Sequence, residues 1–560
     1  GVSSAASDVY KRQIYSYMCI LKYLLFCCVI CISCSHASLH QKQLMHALDF
    51  SAANSKELEK VLKHYEHDSL KLEAAKFLIR NMPHCYSYQQ GGEMDSVKRV
   101  RTYYSPFGQI DQTYARRWGH YTYRNLLKIY DAHIITAEYL IDNIDRAFDN
   151  WQKRPWNRSL SFEDFCEYLL PYRIGDEPLE EWRELYEKKY GYLLDSIYKG
   201  SDVVEAANLV SRHLQEPVFI YCEDFELPHI GPRYLFSHRY GSCVDAADIV
   251  TYAFRAVGIP CMEDTDARGG HVWNVVRDTT GRDVPIWYIA SEAVRGSRDT
   301  GGYKRGKVYR PMYGFQEEKA AHLGDDWKSM PLLFYHPYMK DVSYAYYPDT
   351  LRILTGIPDG EVCYLAHFHE AHWWSCACAR SASGKMEIPN LESELVYLPM
   401  KYTKGNYYPS GFPFWFAGGE INTFLPDWEK TVKVRLYRKY PVYGWLHSFM
   451  GHVVGGTFEG SMTKNFEDGK TLYEIADTPV IARNRIFLNK PVKCRYIRYK
   501  ADNDKCAELA EMTFYANGKA VSPIAVWGSP TEKGNMHVLA KHVADGDPLS
   551  YYLSLVGTLN

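Results

Sequence analysis

The stretch 241–260 constrains the fold of this chain more than any other segment. It reads Gly-Ser-Cys-Val-Asp-Ala-Ala-Asp-Ile-Val-Thr-Tyr-Ala-Phe-Arg-Ala-Val-Gly-Ile-Pro. Apolar or small side chains recur at steps of four and three residues, which predicts a helix buried along one face; they are Cys243, Ala247, Val250, Phe254 and Val257. Gly258 and Pro260 form a helix stop. Cys243 is therefore expected in the first turn of a core helix, where unpaired backbone N–H groups and the helix dipole favour a thiolate.

A second segment, Gly-His-Val-Trp-Asn-Val-Val at 270–276, alternates with a period of two residues and predicts a strand. His271 stands near its start. A cysteine at a helix start and a histidine on a later strand form the arrangement that a thiolate–imidazole pair requires. Taken singly, each residue is more often a buried structural thiol or a core histidine with satisfied hydrogen bonds.

Together these segments resemble the core of transglutaminase-like proteins. The resemblance rests on Gly-x-Cys at a helix start, a helix that ends in Arg-Ala-Val-Gly-Ile-Pro, and the sequence Gly-His-Val-Trp-Asn, and it is tightest over 235–290. It implies a papain-like fold that uses Cys, His and usually Asp. Carried onto this chain, it implies Cys243 as the nucleophile and His271 as its base.

The chain departs from that family at the third catalytic position. The family's Asp normally follows the proline of a second strand, but this strand reads Arg-Asp-Val-Pro-Ile-Trp-Tyr at 282–288 and has Trp287 there. Asp283 repeats on the same face, yet four residues of strand, roughly 13 Å, separate it from that position. Asp278 is expected to form a turn within Asp-Thr-Thr-Gly. The third catalytic residue therefore stays open.

Length and composition narrow the class of protein. The 560 residues predict three or four domains. A net charge of −2 with 24% charged residues offers no basic field for nucleic acid. The 47 tyrosines suit either carbohydrate and protein contacts or the half-buried aromatic side chains of β-domains.

The first 34 residues are expected to be a non-native extension followed by a leader. Residues 3–13 resemble a translated adapter, and Met18 reads as the start. An apolar run at 24–32 suits a signal segment and is too short to span a bilayer comfortably. Cys34 follows it and resembles the cysteine of a bacterial lipoprotein box, where a lipid would anchor the chain to a membrane surface. We therefore expect an exported protein, either a cell-envelope lipoprotein or a periplasmic or secreted one.

Residues 50–215 have helical periodicity, with Ser55, Asp68, Ser161 and Asp202 as predicted helix starts. The transglutaminase-like core is expected at 216–335. Within it, Arg239 stands four residues before Cys243 and either lowers the pKa of the thiol or is an ordinary surface arginine.

Short strands separated by turn residues predict a β-sandwich at 338–440. Several possible metal ligands cluster there: His367, His369, Glu370, His372 and Cys376. Their spacing is not that of the helical zinc motif, so a polar hairpin tip is the expected reading and no metal or cofactor is predicted. Residues 441–525 resemble a discoidin-like β-sandwich, through Arg-Tyr-Ile-Arg-Tyr and Ala-Glu-Met-Thr-Phe-Tyr. Its β-segments are expected at 465–475, 486–488, 495–499 and 508–515. Residues 526–560 resemble the start of a further, truncated module.

The predicted fold class is α+β, with a helical N-terminal region and a papain/transglutaminase-like core followed by β-sandwich domains. Two functions remain open. The first is an exported cysteine hydrolase or acyltransferase that acts on peptide or glycopeptide amides through Cys243 and His271. The second is a non-catalytic transglutaminase-like scaffold whose β-sandwich domains bind polysaccharide or glycoprotein.

Overall fold

The computed structural model describes most of the chain beyond the expected leader. The described residues are 39–92, 94–96, 98, 123–216, 219–221, 227–268, 270–287, 292–298, 304–319, 329–369, 372–434, 450–480, 483–502, 505–529, 539–547 and 550–554. Cys34 lies outside them. The chain divides into two compact units, the first holding the described residues up to Leu425 and the second those from Pro426 onward. Helices and several antiparallel sheets confirm the α+β class.

The N-terminal part of the first unit is helical, as predicted. Its helices are α1 (39–50), α2 (Ser55–His64), α3 (Ser69–Asn81), α4 (Ala137–Lys153), α5 (Phe162–Tyr168), α6 (Arg183–Tyr192) and α7 (Val203–Leu214). Between α3 and α4 the chain forms a short antiparallel pair of strands, β1 (Tyr86–Tyr88) and β2 (Lys128–Tyr130). Three predicted helix caps are confirmed, because the side chains of Asp68, Ser161 and Asp202 accept hydrogen bonds from backbone N–H groups two or three residues on. The predicted cap at Ser55 is wrong: Ser55 is the first helical residue after Asn54, and among the described residues no side chain caps that helix.

The central part of the first unit places one buried helix against a sheet. Three short elements lead into it: β3 (Ile220–Tyr221), α8 (Pro232–Ser237) and β4 (Tyr240–Gly241). Helix α9 (Cys243–Ala256) follows, and almost all of its residues are buried. The sheet has the order β7-β6-β5-β8-β9. Its strands are β5 (Cys261–Asp266), β6 (Val272–Arg277), β7 (Asp283–Ile286), β8 (Val308–Pro311) and β9 (Met339–Asp341).

A network of buried polar side chains surrounds strand β8. Arg310 lies between two carboxylates, donating to Asp264 at 2.5 and 2.9 Å and approaching Asp283 at 2.8 Å. Tyr346 donates to Asp264 at 2.7 Å and accepts from the indole N–H of Trp273 at 2.9 Å. These groups are almost fully buried, so each depends on its partner for the hydrogen bonds that water would otherwise supply.

A β-sandwich follows after α10 (Leu332–Tyr335), as predicted. One sheet pairs β10 (Asp349–Leu354) with β13 (Lys385–Leu391), and the other has the order β12-β11-β14-β16-β17, with β15 on β14. The strands of this larger sheet are β11 (Val362–His369), β12 (His372–Arg380), β14 (Leu395–Thr403), β15 (Asn406–Pro409), β16 (Phe414–Ala417) and β17 (Glu420–Thr423). Its outer face packs through Tyr364 and Met400 against Tyr309 and Phe334 of the central part.

The second unit is a small β-structure. Its strands are β18 (Thr457–Ser461), β19 (Lys470–Glu474), β20 (Tyr496–Lys500), β21 (Glu508–Leu509), β22 (Phe514–Ala516), β23 (Lys519–Val521) and β24 (Tyr552–Leu553). The predicted strand at 486–488 is wrong, because those residues form no strand. Residues near the C-terminal end differ from the expected further module, since Tyr552 pairs with Leu509 and is buried beside Ala501 and Val543 of the same unit.

Among the described residues, no helix combines the length and apolar character needed to cross a membrane.

The Tyr346 hydroxyl offers a test of the buried network. Changing Tyr346 to Phe leaves the Trp273 N–H without its acceptor and Asp264 without one of its donors, which is expected to lower the free energy of unfolding by about 1–3 kcal/mol. Urea denaturation measures the change. Tyr408→Phe, at a side chain that is 47% exposed, is the matched control and should change stability by less than about 0.5 kcal/mol. Equal effects of the two substitutions would contradict this account.

Candidate functional site

Cys243 is the first residue of helix α9, as the sequence predicted. The preceding residue, Ser242, donates its backbone N–H to the carboxylate of Asp245 at 2.8 Å, which closes the helix start. This explains the glycine of the Gly-x-Cys motif. A Cβ atom at Gly241 would lie 2.2 Å from the Asp245 carboxylate, so only glycine leaves room for the cap. The cap also brings a negative charge to the first turn, where it opposes the effect of the helix dipole on a thiolate.

His271 stands immediately before strand β6, at the end of the hairpin that follows β5. The carboxylate of Asp266 accepts backbone N–H groups from Arg268 and Gly270, each at 2.9 Å, and so closes the turn. The carbonyl of His271 accepts from the Thr265 hydroxyl at 3.0 Å. These hydrogen bonds fix the backbone on both sides of the turn, up to and including His271.

Helix α9 and strand β6 lie against each other and run in the same direction. In the first half of the strand, the Asn274 amide donates to the carbonyl of Ala247 at 3.0 Å and to the hydroxyl of Thr251, one turn further along the helix, at 2.9 Å. In the last turn of the helix, Arg255 donates to the carbonyl of Cys261, the residue that β5 pairs with the far end of β6. The N-terminal ends of the helix and the strand therefore lie side by side.

Both residues of the predicted pair belong to this end. Cys243 precedes Ala247 by one helical turn, and His271 precedes Asn274 by three residues of strand. Cys243 is 5% exposed and His271 is 4% exposed. The predicted nucleophile and base thus come from corresponding ends of two packed elements, and both are withdrawn from solvent.

Trp287 lies directly against the imidazole of His271. The two ring centroids are 4.7 Å apart and the planes meet at 76°, so the contact is edge-to-face. Trp273 contacts the same imidazole at 5.6 Å with nearly parallel planes. The residue that replaces the expected Asp therefore does occupy a place beside the imidazole. The buried indole nitrogen of Trp287 has no hydrogen-bond partner among the described residues.

The two nearby aspartates are engaged elsewhere. Asp283 accepts from the Tyr168 hydroxyl at 3.0 and 3.1 Å and pairs with Arg310. Asp278 accepts from the backbone of Thr280 and Arg282 at 2.8 and 3.0 Å, which confirms it as a turn former. Neither carboxylate supplies the third catalytic residue that the resemblance implies.

Arg239 is a correction to the sequence-based expectation. It was expected either to lower the thiol pKa or to lie on the surface. The surface alternative is wrong, because the side chain is buried and donates to the carbonyl of Leu235 at 2.8 Å and to the hydroxyl of Tyr190 at 2.7 Å. An arginine on an irregular segment between short elements has no periodic pattern that would reveal its burial.

A second histidine beside helix α9 went unnoticed in the sequence. It is His229, whose Nδ1 lies 2.9 and 3.0 Å from the two carboxylate oxygens of Asp248. Asp248 is fully buried and follows Cys243 by five residues. Burial opposes protonation, but the Asp248 carboxylate raises the pKa of His229 well above its usual value. The ring lies on Gly175, where a Cβ atom would come within 2.3 Å of it. A histidine in a loop and an aspartate on a helix carry no local signal of this pairing.

A buried carboxyl group also lies between the helix and the strand. Glu263, on β5, accepts from the Thr251 hydroxyl at 2.7 Å and stands opposite Asn274 in the strand register. Burial raises the pKa of Glu263 to about 8, so the group is mostly protonated at neutral pH.

Two cavities of about 760 and 530 Å³ open within the first unit, and neither is lined by Cys243 or His271. No group of three or more possible metal ligands comes together among the described residues. Of the possible ligands singled out in the sandwich, Glu370 lies outside the described residues, His367 is buried, and His369 lies on the same strand as His367. Burial lowers the pKa of His367 to about 4 and keeps it neutral.

Comparison of the chain with protein-family models, with curated proteins and with solved structures finds no match.

The raised pKa of Glu263 predicts how stability changes with pH. The folded protein holds this proton up to about pH 8, whereas an unfolded chain releases it near pH 4.3. The contribution is therefore complete below about pH 4.3 and is lost progressively up to about pH 8. Glu263→Gln keeps an acceptor for Thr251 without the titration, so its free energy of unfolding should rise relative to wild type between pH 5 and pH 8.

Urea denaturation across this pH range measures the difference. Glu387→Gln is the matched control, since Glu387 is exposed and pairs with Arg352 on the surface of the sandwich. A constant difference between Glu263→Gln and wild type from pH 5 to pH 8 would contradict the assignment of a neutral acid.

Proposed function

We propose that this protein is a cysteine hydrolase or acyltransferase of the transglutaminase-like, papain-like type, which acts on peptide or glycopeptide amides through Cys243 and His271. The observation that supports the proposal is the packing of helix α9 along strand β6, with the first turn of the helix toward the end of the strand that follows His271. The export and the lipid on Cys34 that the leader suggests belong to the same proposal.

The reaction would proceed in two steps. The Cys243 thiolate attacks the amide carbonyl carbon, and the backbone N–H at the helix start stabilises the oxyanion. The C–N bond breaks, His271 gives its proton to the departing amine, and a thioester remains on Cys243. Water or a second amine then attacks the thioester, gives a proton to His271, and releases an acid or a new amide with the thiolate restored.

Trp287 would take over one part of the role of the missing carboxylate. Its edge restricts rotation of the His271 ring, which sets the direction of the imidazole nitrogens. An indole carries no negative charge, so it orients the ring without stabilising the imidazolium as an aspartate does. We therefore expect weaker stabilisation of the thiolate–imidazolium pair than in a complete triad.

Alkylation of the cysteines tests the proposal. Iodoacetamide should modify Cys243 at pH 6 at least about tenfold faster than any other cysteine, because its thiolate forms at lower pH. Mass mapping of timed samples gives the rate at each site. Cys494 and Cys506 are the internal controls, since both are more exposed while burial raises their pKa values.

His271→Ala should remove the advantage of Cys243 below pH 7 while the rates at Cys494 and Cys506 stay unchanged. Labelling that follows exposure alone, with Cys494 and Cys506 modified first at every pH, would refute the catalytic proposal.

A second candidate is a non-catalytic scaffold whose β-domains bind polysaccharide or glycoprotein. Two features favour it: Trp287 stands in the acid position, and Cys243 is nearly closed to solvent. The second unit offers a surface for sugars, where the indole of Trp527 is 63% exposed and Lys464 lies 4.8 Å above it. An exposed indole beside a hydrogen-bond donor suits the apolar face and hydroxyl groups of a sugar ring.

Pull-down of the full chain on insoluble polysaccharides tests this candidate. Cys243→Ala should bind as wild type does, whereas Trp527→Ala should lose about tenfold or more of the affinity, in line with the weight that aromatic anchors carry. Retention of wild type on none of the polysaccharides, or equal binding by Trp527→Ala, would remove the scaffold function.

A further inference from the structure

Arg268 joins the hairpin that precedes His271 to the β-sandwich. Its Nη1 donates to Nδ1 of His369 on strand β11 at 2.9 Å. The guanidinium also lies 5.7 Å from the ring centroid of Trp374 on strand β12. Its side chain is only 10% exposed, so this contact between two parts of the first unit is largely shielded from water. Shielding makes the hydrogen bond more specific in its geometry than one formed in solvent.

The same side chain is tied to the turn itself. Nη2 of Arg268 lies 3.3 Å from the Asp266 carboxylate, which also accepts the two backbone N–H groups of the turn. A Cβ atom at Gly270 would lie 3.0 Å from Nη2, so glycine leaves the space into which the guanidinium folds. The backbone N–H of Asp266 in turn donates to the carbonyl of His271 at 3.3 Å. A short series of contacts thus runs from the sandwich to the backbone of His271.

The geometry also determines the protonation of His369. An arginine side chain is always a donor, so the Nδ1 atom that faces it must be the acceptor and carry no proton. The hydrogen bond therefore forms only when His369 is neutral and carries its proton on Nε2. The substitution His369→Gln offers an amide carbonyl oxygen as the acceptor in place of this nitrogen.

We propose that Arg268 is a positioning residue for His271, and that the β-sandwich, through His369 and Trp374, holds the imidazole in register with Cys243. The proposal rests on the proposed cysteine chemistry. Trp287 and Trp273 contact the ring of His271, whereas Asp266, which Arg268 contacts, holds the backbone that leads to it. Both are needed because a displacement of about 1 Å between reacting groups is enough to lower a rate by about 100-fold.

The test uses the full chain and the alkylation rate of Cys243. Arg268→Ala should lower the rate at pH 6 by about tenfold, and the rate should rise instead near pH 8.5, the ordinary range of a free thiol. Arg268→Lys keeps one donor toward His369 and should restore part of the rate. Arg352→Ala, which removes an exposed ion pair with Glu387 on the same sandwich, is the matched control and should behave as wild type.

A double-mutant cycle separates positioning from general loss of stability. His369→Ala should lower the Cys243 rate as Arg268→Ala does, His369→Gln should retain the acceptor and the rate, and the double variant Arg268→Ala/His369→Ala should be no slower than either single variant. The melting temperature of each variant is measured alongside. If Arg268→Ala fails to fold, the comparison of His369→Ala with His369→Gln tests the same contact from the other side.

The outcomes distinguish this inference from the function on which it rests. Wild type without faster labelling of Cys243 refutes the cysteine chemistry itself. Fast labelling in wild type that persists unchanged in Arg268→Ala and His369→Ala refutes the positioning role while leaving the chemistry intact. Additive losses in the double variant, or a rate that follows only the melting temperature, also overturn the inference.

Discussion

The contact between helix α9 and strand β6 is the interaction on which the rest of the site depends. It is made by buried polar groups as well as apolar packing: the Asn274 amide bonds to Thr251, whose hydroxyl bonds to Glu263. Such groups are satisfied in one relative position only, because a slip of the helix by one turn would leave a buried amide and a buried carboxyl group unpaired. The register of helix against strand follows from this requirement.

The charges around helix α9 are arranged for stability and leave the imidazole of His271 beside aromatic rings. Two buried carboxylates of the sheet and the helix, Asp283 and Asp248, are paired with Arg310 and His229. A buried carboxylate needs such a partner, since an unpaired one costs several kcal/mol. The aromatic contact of Trp287 gives direction without charge, and this difference separates the chain from the triad that its sequence resembles.

The β-sandwich belongs to the same compact unit as the site. Its outer face shares an apolar cluster with strand β8, and Arg268 reaches it from the hairpin before His271. An apolar cluster resists separation of the two layers but tolerates small lateral shifts, whereas a shielded hydrogen bond fixes both distance and direction. Through these two kinds of contact, the sandwich would affect the geometry of the proposed pair of Cys243 and His271.

The local elements of this protein could be read from its sequence, and their partners could not. The helix at 243–256, the strand after His271, the turn at Asp278 and the strands of the sandwich all follow from periodicity and turn residues, which act between neighbours along the chain. The pairing of Asp248 with His229, the burial of Arg239 and the pairing of Tyr552 with Leu509 depended on the tertiary structure. A periodic pattern reports which face of an element is buried, while the residue that lies opposite comes from a distant segment, brought there only when the chain packs.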